Sequence, residues 1–358
     1  MDEALGRLSL DNIEWVGHSL VRPECAVTHQ TGYVFAPDWT GPGGVSVIGP
    51  DGTVFKHLAH SSFFRVRPNG IVLEPGGTIL LAHLGDETGG IFRLHPDGGV
   101  EPVLVSVEGK PLPPTNFIYR EADGSLWVTV STRKSPRALG YRPDVDDGFI
   151  VRVDGKVATI AAEGLGYTNE CIRHPERNEL WVNETFGRRL TAFEIIGNRL
   201  SSRRTICSFA DGDYPDGLAF DADGCAWVTS IVSNRLYRIS PDGKKELVLE
   251  DVPGEKINEV ETAFQAGEMA RPHLDTPFGA VLKNISNLAF GGPDMRTAYL
   301  GCLLGDRMAS VKCPIPGAPM PSYTVDISPL LGSLGTKAVE EQKGHVEQSN
   351  LSDRCLSR

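Results

Sequence analysis

The sequence predicts an all-β fold, a six-bladed β-propeller with four-stranded antiparallel blades, and three observations predict it. One hairpin-like pattern recurs six times in the 358 residues, beginning at Glu24, Asn69, Asn116, Asn169, Asp216 and Asn287. These starts are 45, 47, 53, 47 and 71 residues apart, and the first four intervals have the spacing of propeller blades. A second strand–turn–strand pair follows most copies, and 40 glycines and 25 prolines provide for many turns.

In chain order the copies are "ECAVTHQTGYVFAPD", "NGIVLEPGGTILLAH", "NFIYREADGSLWVTV", "NECIRHPERNELWVNE", "DGLAFDADGCAWVTS" and "NLAFGGPDMRTAYLG". Each is a β-branched or aromatic run, a Gly/Asp/Asn turn and a second such run, the pattern of a hairpin. The segments "GGIFRLHPDGGVEPVLV", "DGFIVRVDGKVATIA" and "NRLYRISPDGKKELVLE" add two strands about a D-G turn. Two packed β-sandwiches would not repeat one punctuation pattern around the chain, whereas blades packed radially would. The propeller is expected to span 1–334. The excess length before the sixth copy falls in 251–284, where one short helix is expected, and the polar stretch 335–358 is expected to be a disordered tail.

Composition narrows the function. The chain is 40% hydrophobic and 23% charged with a formal net charge of −11, which argues against a nucleic-acid partner and for a small-molecule substrate or a cation. No run approaches the roughly 20 apolar residues of a membrane span, and "MDEALGRLSL" lacks an apolar signal core, so a cytoplasmic protein without a membrane partner is expected. Oligomeric state is not legible. The seven cysteines are scattered without paired spacing and read as reduced, packed thiols.

In a propeller the first strand of each blade lines the central channel, so the six copy starts should face one another at one mouth. Every one of them carries a side-chain oxygen. Turn preference accounts for a single Asn or Asp, but not for the same slot filled six times, nor for a glutamate. Two converging carboxylates would repel and be expensive to desolvate, and a divalent cation would remove that penalty. Amide oxygens complete the shell of a hard ion such as Ca²⁺ without adding charge. With no His or Cys in the ring Zn²⁺ is less favoured, although Mg²⁺, Mn²⁺ and Zn²⁺ are all compatible with oxygen ligands.

The motifs "RPEC", "PTNF", "YTNE" and "YPDGLAFDADGCAWV" resemble those of the senescence marker protein/gluconolactonase/luciferin-regenerating-like family, from about residue 14 to 330. The resemblance implies one divalent cation at the channel mouth on Glu24, Asn169 and Asp216, with Asn116 as a fourth residue holding metal or substrate. "PTNF" departs from the usual family pattern, which bears on the substrate more than on the metal. The similar diisopropyl-fluorophosphatases use a comparable Glu, Asn, Asn, Asp set. Asn69 and Asn287 are expected beside the ion or facing substrate, with Trp39, His83 and Tyr141 on surrounding loops.

A hard cation that polarises a carbonyl and acidifies water suits hydrolysis of a sugar lactone or related cyclic ester. Asp216, with Asn116 beside it, is the expected catalytic pair, Asp216 acting as general base or as nucleophile. Phosphoester or P–F hydrolysis, a non-catalytic binding platform with a structural ion, and a metal-free propeller of the strictosidine-synthase type are the alternatives. There is no G-x-S-x-G elbow, H-E-x-x-H or Walker A loop. The long connection "STRKSPRALGYRPDVDDG", 131–148, carries Arg133, Lys134, Arg137, Tyr141 and Arg142 and is expected to be a lid holding a polar or anionic substrate.

Overall fold

The computed structural model describes residues 6–60 and 64–336. Six four-stranded antiparallel sheets follow one another around a central channel, as the repeat predicts. Five are continuous in sequence, covering 27–58, 68–104, 115–165, 168–208 and 215–250. The sixth takes Ile285–Gly291, Thr297–Cys302 and Met308–Lys312, and its fourth, outermost strand is Glu14–Val16 from the far end of the sequence. Glu14, Trp15 and Val16 pair antiparallel with Ser310, Ala309 and Met308, which closes the ring. The D-G pairs form the third and fourth strands of their blades, as at Gly148–Asp154 and Val157–Leu165.

The interior lies between blades. Trp127, Trp181 and Trp227 occupy equivalent places in the second strands of blades three to five, all fully buried. An acid receives each indole N–H: Glu121, Glu179 and Asp221, all at 2.9 Å. A buried indole donor needs such a partner, and the recurring acid near the turn ahead of "LWV" or "AWV" supplies it.

Inner strands break register where the ring residues sit. Pairing with the second strand is interrupted between Pro68 and Ile71, Thr115 and Phe117, Thr168 and Cys171, Pro215 and Leu218, and Ile285 and Asn287. A bulge re-aims the side chains it contains, and here it falls at the channel mouth. Glycine makes the close approach possible: a Cβ on Gly217 would lie 2.4 Å from Asn287 Cα, and one on Gly301 2.7 Å from the Glu24 carbonyl oxygen.

Segment 251–284 forms two helices where one was expected: α1, Gly254–Gln265, and α2, Arg271–Leu274. Between them lies Gly267 at φ +70°, and Pro272 sits in the first turn of α2, which suits a helix start. Helix α1 buries Ile257, Val260 and Phe264, worth about 2 kcal/mol each. Phe264 packs on Tyr214 and Phe186 with ring centroids 5.3 and 5.9 Å away, so the insertion is docked over the channel mouth. The opposite end is covered by the segment after blade six, where Ile327, Leu330 and Leu334 enter the core. Residues 328–336 are helical, across the predicted boundary at 334/335; the rest of the predicted tail lies outside the described residues.

Six cysteines are unbonded and buried, as expected of packed thiols, and Cys355 lies outside the described residues. No helix among the described residues is long and apolar enough to cross a membrane.

Candidate active site

Four of the six ring residues, Glu24, Asn116, Asn169 and Asp216, line one small cavity at the channel mouth, with about 30 Å³ of free space, room for a water or two. Asn116 Nδ2 donates to Asn169 Oδ1 at 2.6 Å, and Asn169 Nδ2 donates to Thr185 Oγ1 at 2.9 Å. The Asn169 side chain also favours the charged form of the Asp216 carboxylate. Glu24 enters from a turn rather than a strand. Arg22, two residues before it, holds φ +59°, and Tyr167, two residues before Asn169, holds φ +66°. Non-glycine residues adopt that conformation at an energetic cost, typically at functional sites.

The charges are poorly compensated. Asp216 is 5% exposed, and its carboxyl is pushed well above the usual range by burial first, then by Glu24 and Glu170. Among the described residues it has no cationic partner at ion-pair distance. Glu24 Oε2 lies 2.9 Å from Arg22 Nε, but the two are misaligned and neither atom makes a hydrogen bond. Glu170, in the next position after Asn169, is raised to about 8, chiefly by burial, although the Leu218 N–H and Asn287 Nδ2 bond its carboxylate. Three acids therefore converge on the channel.

Over the cavity stand Tyr141, Tyr167 and Phe186, with Arg137 from the 131–148 connection and Arg271 and Leu274 from α2. The three rings pack at 4.7–5.4 Å between centroids, which keeps bulk water out. Arg271 is held by Asp275 through two bonds of 2.7 and 2.8 Å. Arg137 Nη2 reaches Asn116 Oδ1 at 3.3 Å and Ser131 Oγ at 3.2 Å. Connections 183–188, 230–234 and 301–307 contribute Thr185, Phe186, Ile231 and Leu303, so the cavity is built by blades three to six together with Glu24 of blade one.

The other predicted residues lie elsewhere. Asn69 backs Asn116, donating to its carbonyl at 3.1 Å and its Oδ1 at 3.2 Å. Asn287 is deeper in the channel, accepting from the Ala26 N–H at 2.7 Å and donating to Glu170 at 2.7 Å. Neither lines the cavity. Trp39 donates to the Pro68 carbonyl at 2.7 Å and lies between Arg22 and Arg67. His83 accepts from the Arg67 N–H at 3.0 Å and packs against Phe64 and Phe92, a structural setting that lowers its pKa to about 4, mainly through burial. Tyr141 does line the cavity.

Sequence reasoning missed Glu170 and Arg271. Strict strand alternation would send Glu170 away from the channel if Asn169 faces it; the bulge between Thr168 and Cys171 turns both inward. Arg271 belongs to the insertion, and no repeat register places it.

The donor set fits a hard divalent cation. Two acids and two amides converge, one carboxylate oxygen has no hydrogen bond, and the other acid lacks a counter-charge. Among the described residues no three His, Cys, Asp or Glu side chains form a metal-holding group, so a cation here would depend on the amide oxygens, which suits calcium-like ions better than zinc.

Residues 53–268 match the family model described as the SMP-30/Gluconolactonase/LRE-like region. The chain is similar to the Arabidopsis thaliana protein STRICTOSIDINE SYNTHASE-LIKE 13, at 24% identity over 60% of this chain and 52% of that protein. It is also similar to the 6-deoxy-6-sulfogluconolactonase of Pseudomonas putida, at 27% identity over 46% and 48%. The chain spans about half the length of the curated relatives it matches. Among solved structures, regucalcin from Agrobacterium tumefaciens, a calcium-binding protein, superposes with a TM-score of 0.61 at 15% identity, covering 87% of this chain and 99% of that one, a likeness of fold.

Proposed function

Because the chain belongs to the SMP-30/gluconolactonase/LRE-like family, we propose that it is a metal-dependent hydrolase that opens a sugar lactone or related cyclic ester. The observation that carries this reading is the meeting of Glu24 and Asp216 with the Asn116 and Asn169 amides in a cavity roofed by aromatic rings. Glu24, Asn116, Asn169 and Asp216 would hold one divalent cation, Ca²⁺ before Mg²⁺, Mn²⁺ or Zn²⁺. When bound, it would supply Lewis-acid polarisation of the substrate carbonyl.

The chain's own residues supply the rest. Asp216, a buried carboxylate in the cavity wall, takes a proton from water as the water oxygen bonds to the lactone carbonyl carbon. The ring C–O bond then breaks, and the departing oxygen takes the proton back, leaving a hydroxy acid. Asn116, fixed by Asn69 and Asn169, orients the reacting carbonyl. Tyr141, Tyr167 and Phe186 limit water to the molecule that reacts, which strengthens each electrostatic interaction inside.

The Pseudomonas relative is named a lactonase and the Agrobacterium structure a calcium-binding protein, and both names support this reading. One observation favours a second reading, a metal-free reaction of the strictosidine-synthase type: the name of the Arabidopsis relative. A panel of lactones, followed by acid release with and without a chelator, separates the two. Calcium-dependent acid release is expected. Full activity in metal-stripped protein would overturn the metal-dependent reading.

A further inference from the structure

The arginines of the 131–148 connection divide sharply by partner. Arg133 is paired with Glu163 and stacks on Phe149, its guanidinium 4.0 Å from the ring centroid. Arg142 is paired with Asp144 at 2.8 Å. Around the cavity, Arg271 is held by Asp275 and Arg22 stands beside Glu24. Arg137 differs from all of these. Among the described residues no carboxylate lies within ion-pair distance of it, its two bonds go to neutral oxygens of Asn116 and Ser131, and its buried Nε has no acceptor. It lines the cavity wall beside Tyr141 and Tyr167.

A partly buried guanidinium without a counter-anion is unfavourable. Loading the site makes the imbalance larger, since a divalent cation balances Glu24 and Asp216 and removes the negative field that Arg137 now shares. The occupied site is then net positive on the side of Arg137. Tyr167 adds a ring face 5.5 Å from the guanidinium carbon, which holds the group in place without neutralising it. What is missing is an acceptor with negative charge and room for two N–H donors, the geometry that guanidinium matches best.

We propose that the substrate of this site carries an acidic group, a carboxylate, sulfonate or phosphate, and that Arg137 receives it. The proposal rests on the lactonase reading for the identity of the reaction, and on the unpaired guanidinium for the class of substrate. The acid binds on the blade-three side of the cavity while the lactone carbonyl faces Asp216. With only about 30 Å³ free, entry requires the 131–148 connection or α2 to move aside, and Arg137 travels with the first of these.

The test compares D-glucono-1,5-lactone with its 6-phosphate, its 6-deoxy-6-sulfonate and a lactone of glucaric acid, using calcium-loaded wild type, R137Q and R137K. Wild type is expected to favour at least one acidic lactone by about tenfold or more in kcat/KM. In R137Q that preference collapses through KM, as loss of a charge-assisted hydrogen bond predicts, while R137K keeps part of it. The ranking of the three acids identifies the group. Equal losses on neutral and acidic lactones would overturn the proposal and make Arg137 a positioning residue for Asn116, and so would a wild type that favours the neutral lactone. Calorimetric titration with glucarate and with sorbitol gives a readout independent of turnover: Arg137-dependent binding of glucarate alone is expected. If no lactone is turned over, the lactonase reading fails, and this titration still decides whether Arg137 receives an acid. Thermal unfolding of each variant controls for loss of fold.

Discussion

At the residue scale, Asp216 and His83 are both buried, and burial acts on them in opposite directions. Burial raises the carboxyl and lowers the imidazole, because it disfavours whichever form is charged. Asp216→Asn keeps an oxygen ligand but removes the base. Turnover is expected to fall at least about a hundredfold, with metal content largely retained; near-normal turnover would assign the proton to another group. His83 gives a pH prediction. Its folded pKa is about 4 against 6.5 for the free side chain, so above pH 6.5 it is neutral in both folded and unfolded chains. As pH falls from 6.5 towards 4 the unfolded chain binds the proton first, and stability is lost by up to about 3 kcal/mol. Gln can still accept from the Arg67 N–H and does not titrate, so His83→Gln should lose less stability between pH 7 and 4.5 in denaturant melts. Parallel losses in the two proteins would show that His83 is not the group responsible.

At the element scale, bulges and connections decide what the site can do. The bulge at Asp216 depends on Gly217, where an added Cβ would sit 2.4 Å from Asn287 Cα. Gly217→Ala should therefore destabilise by about 1–3 kcal/mol and depress turnover as well, measurable by chemical unfolding and acid release on one preparation. A fully stable and active variant would mean that the two inner strands separate without consequence. Replacing 131–148 with a tight turn removes Arg137 and Tyr141 from the cavity wall. KM should rise or substrate preference change while calcium still binds through the ring residues, and an unchanged KM and ranking would rule out the connection as a lid. Its length and charge were visible in the sequence. Which of its five highlighted residues reach the site was not, because Arg133 and Arg142 are drawn off by Glu163 and Asp144, partners that only folding brings near.

For the whole molecule, the four ring residues of the cavity lie up to 192 positions apart, from Glu24 to Asp216, so a cation bridging them ties blades one, three, four and five together. Calcium at about 100 times its dissociation constant should stabilise the fold by about 2.7 kcal/mol. Calorimetry should show a higher Tm with calcium, and a much smaller rise in Glu24→Gln; equal rises in both proteins would place the ion elsewhere. The six-blade architecture is legible in the chain, because each blade repeats the same turn chemistry and strand period, and local preferences of that kind are written in consecutive residues. The sequence also placed the four polar residues that line the cavity among the six that begin copies of the repeat, and the family resemblance picked those four out of the six. The rest depends on contacts between distant parts of the chain. Glu14–Val16 closes the sixth blade through a pairing between distant parts of the chain, Glu170 faces the channel through a bulge that breaks strand alternation, and Arg271 arrives on an insertion outside the repeat. Asn69 and Asn287 share the sequence slot of the cavity residues, yet they bond to Asn116 and Glu170 instead, because side-chain direction in the channel is set by the packing of neighbouring strands, which no single repeat encodes.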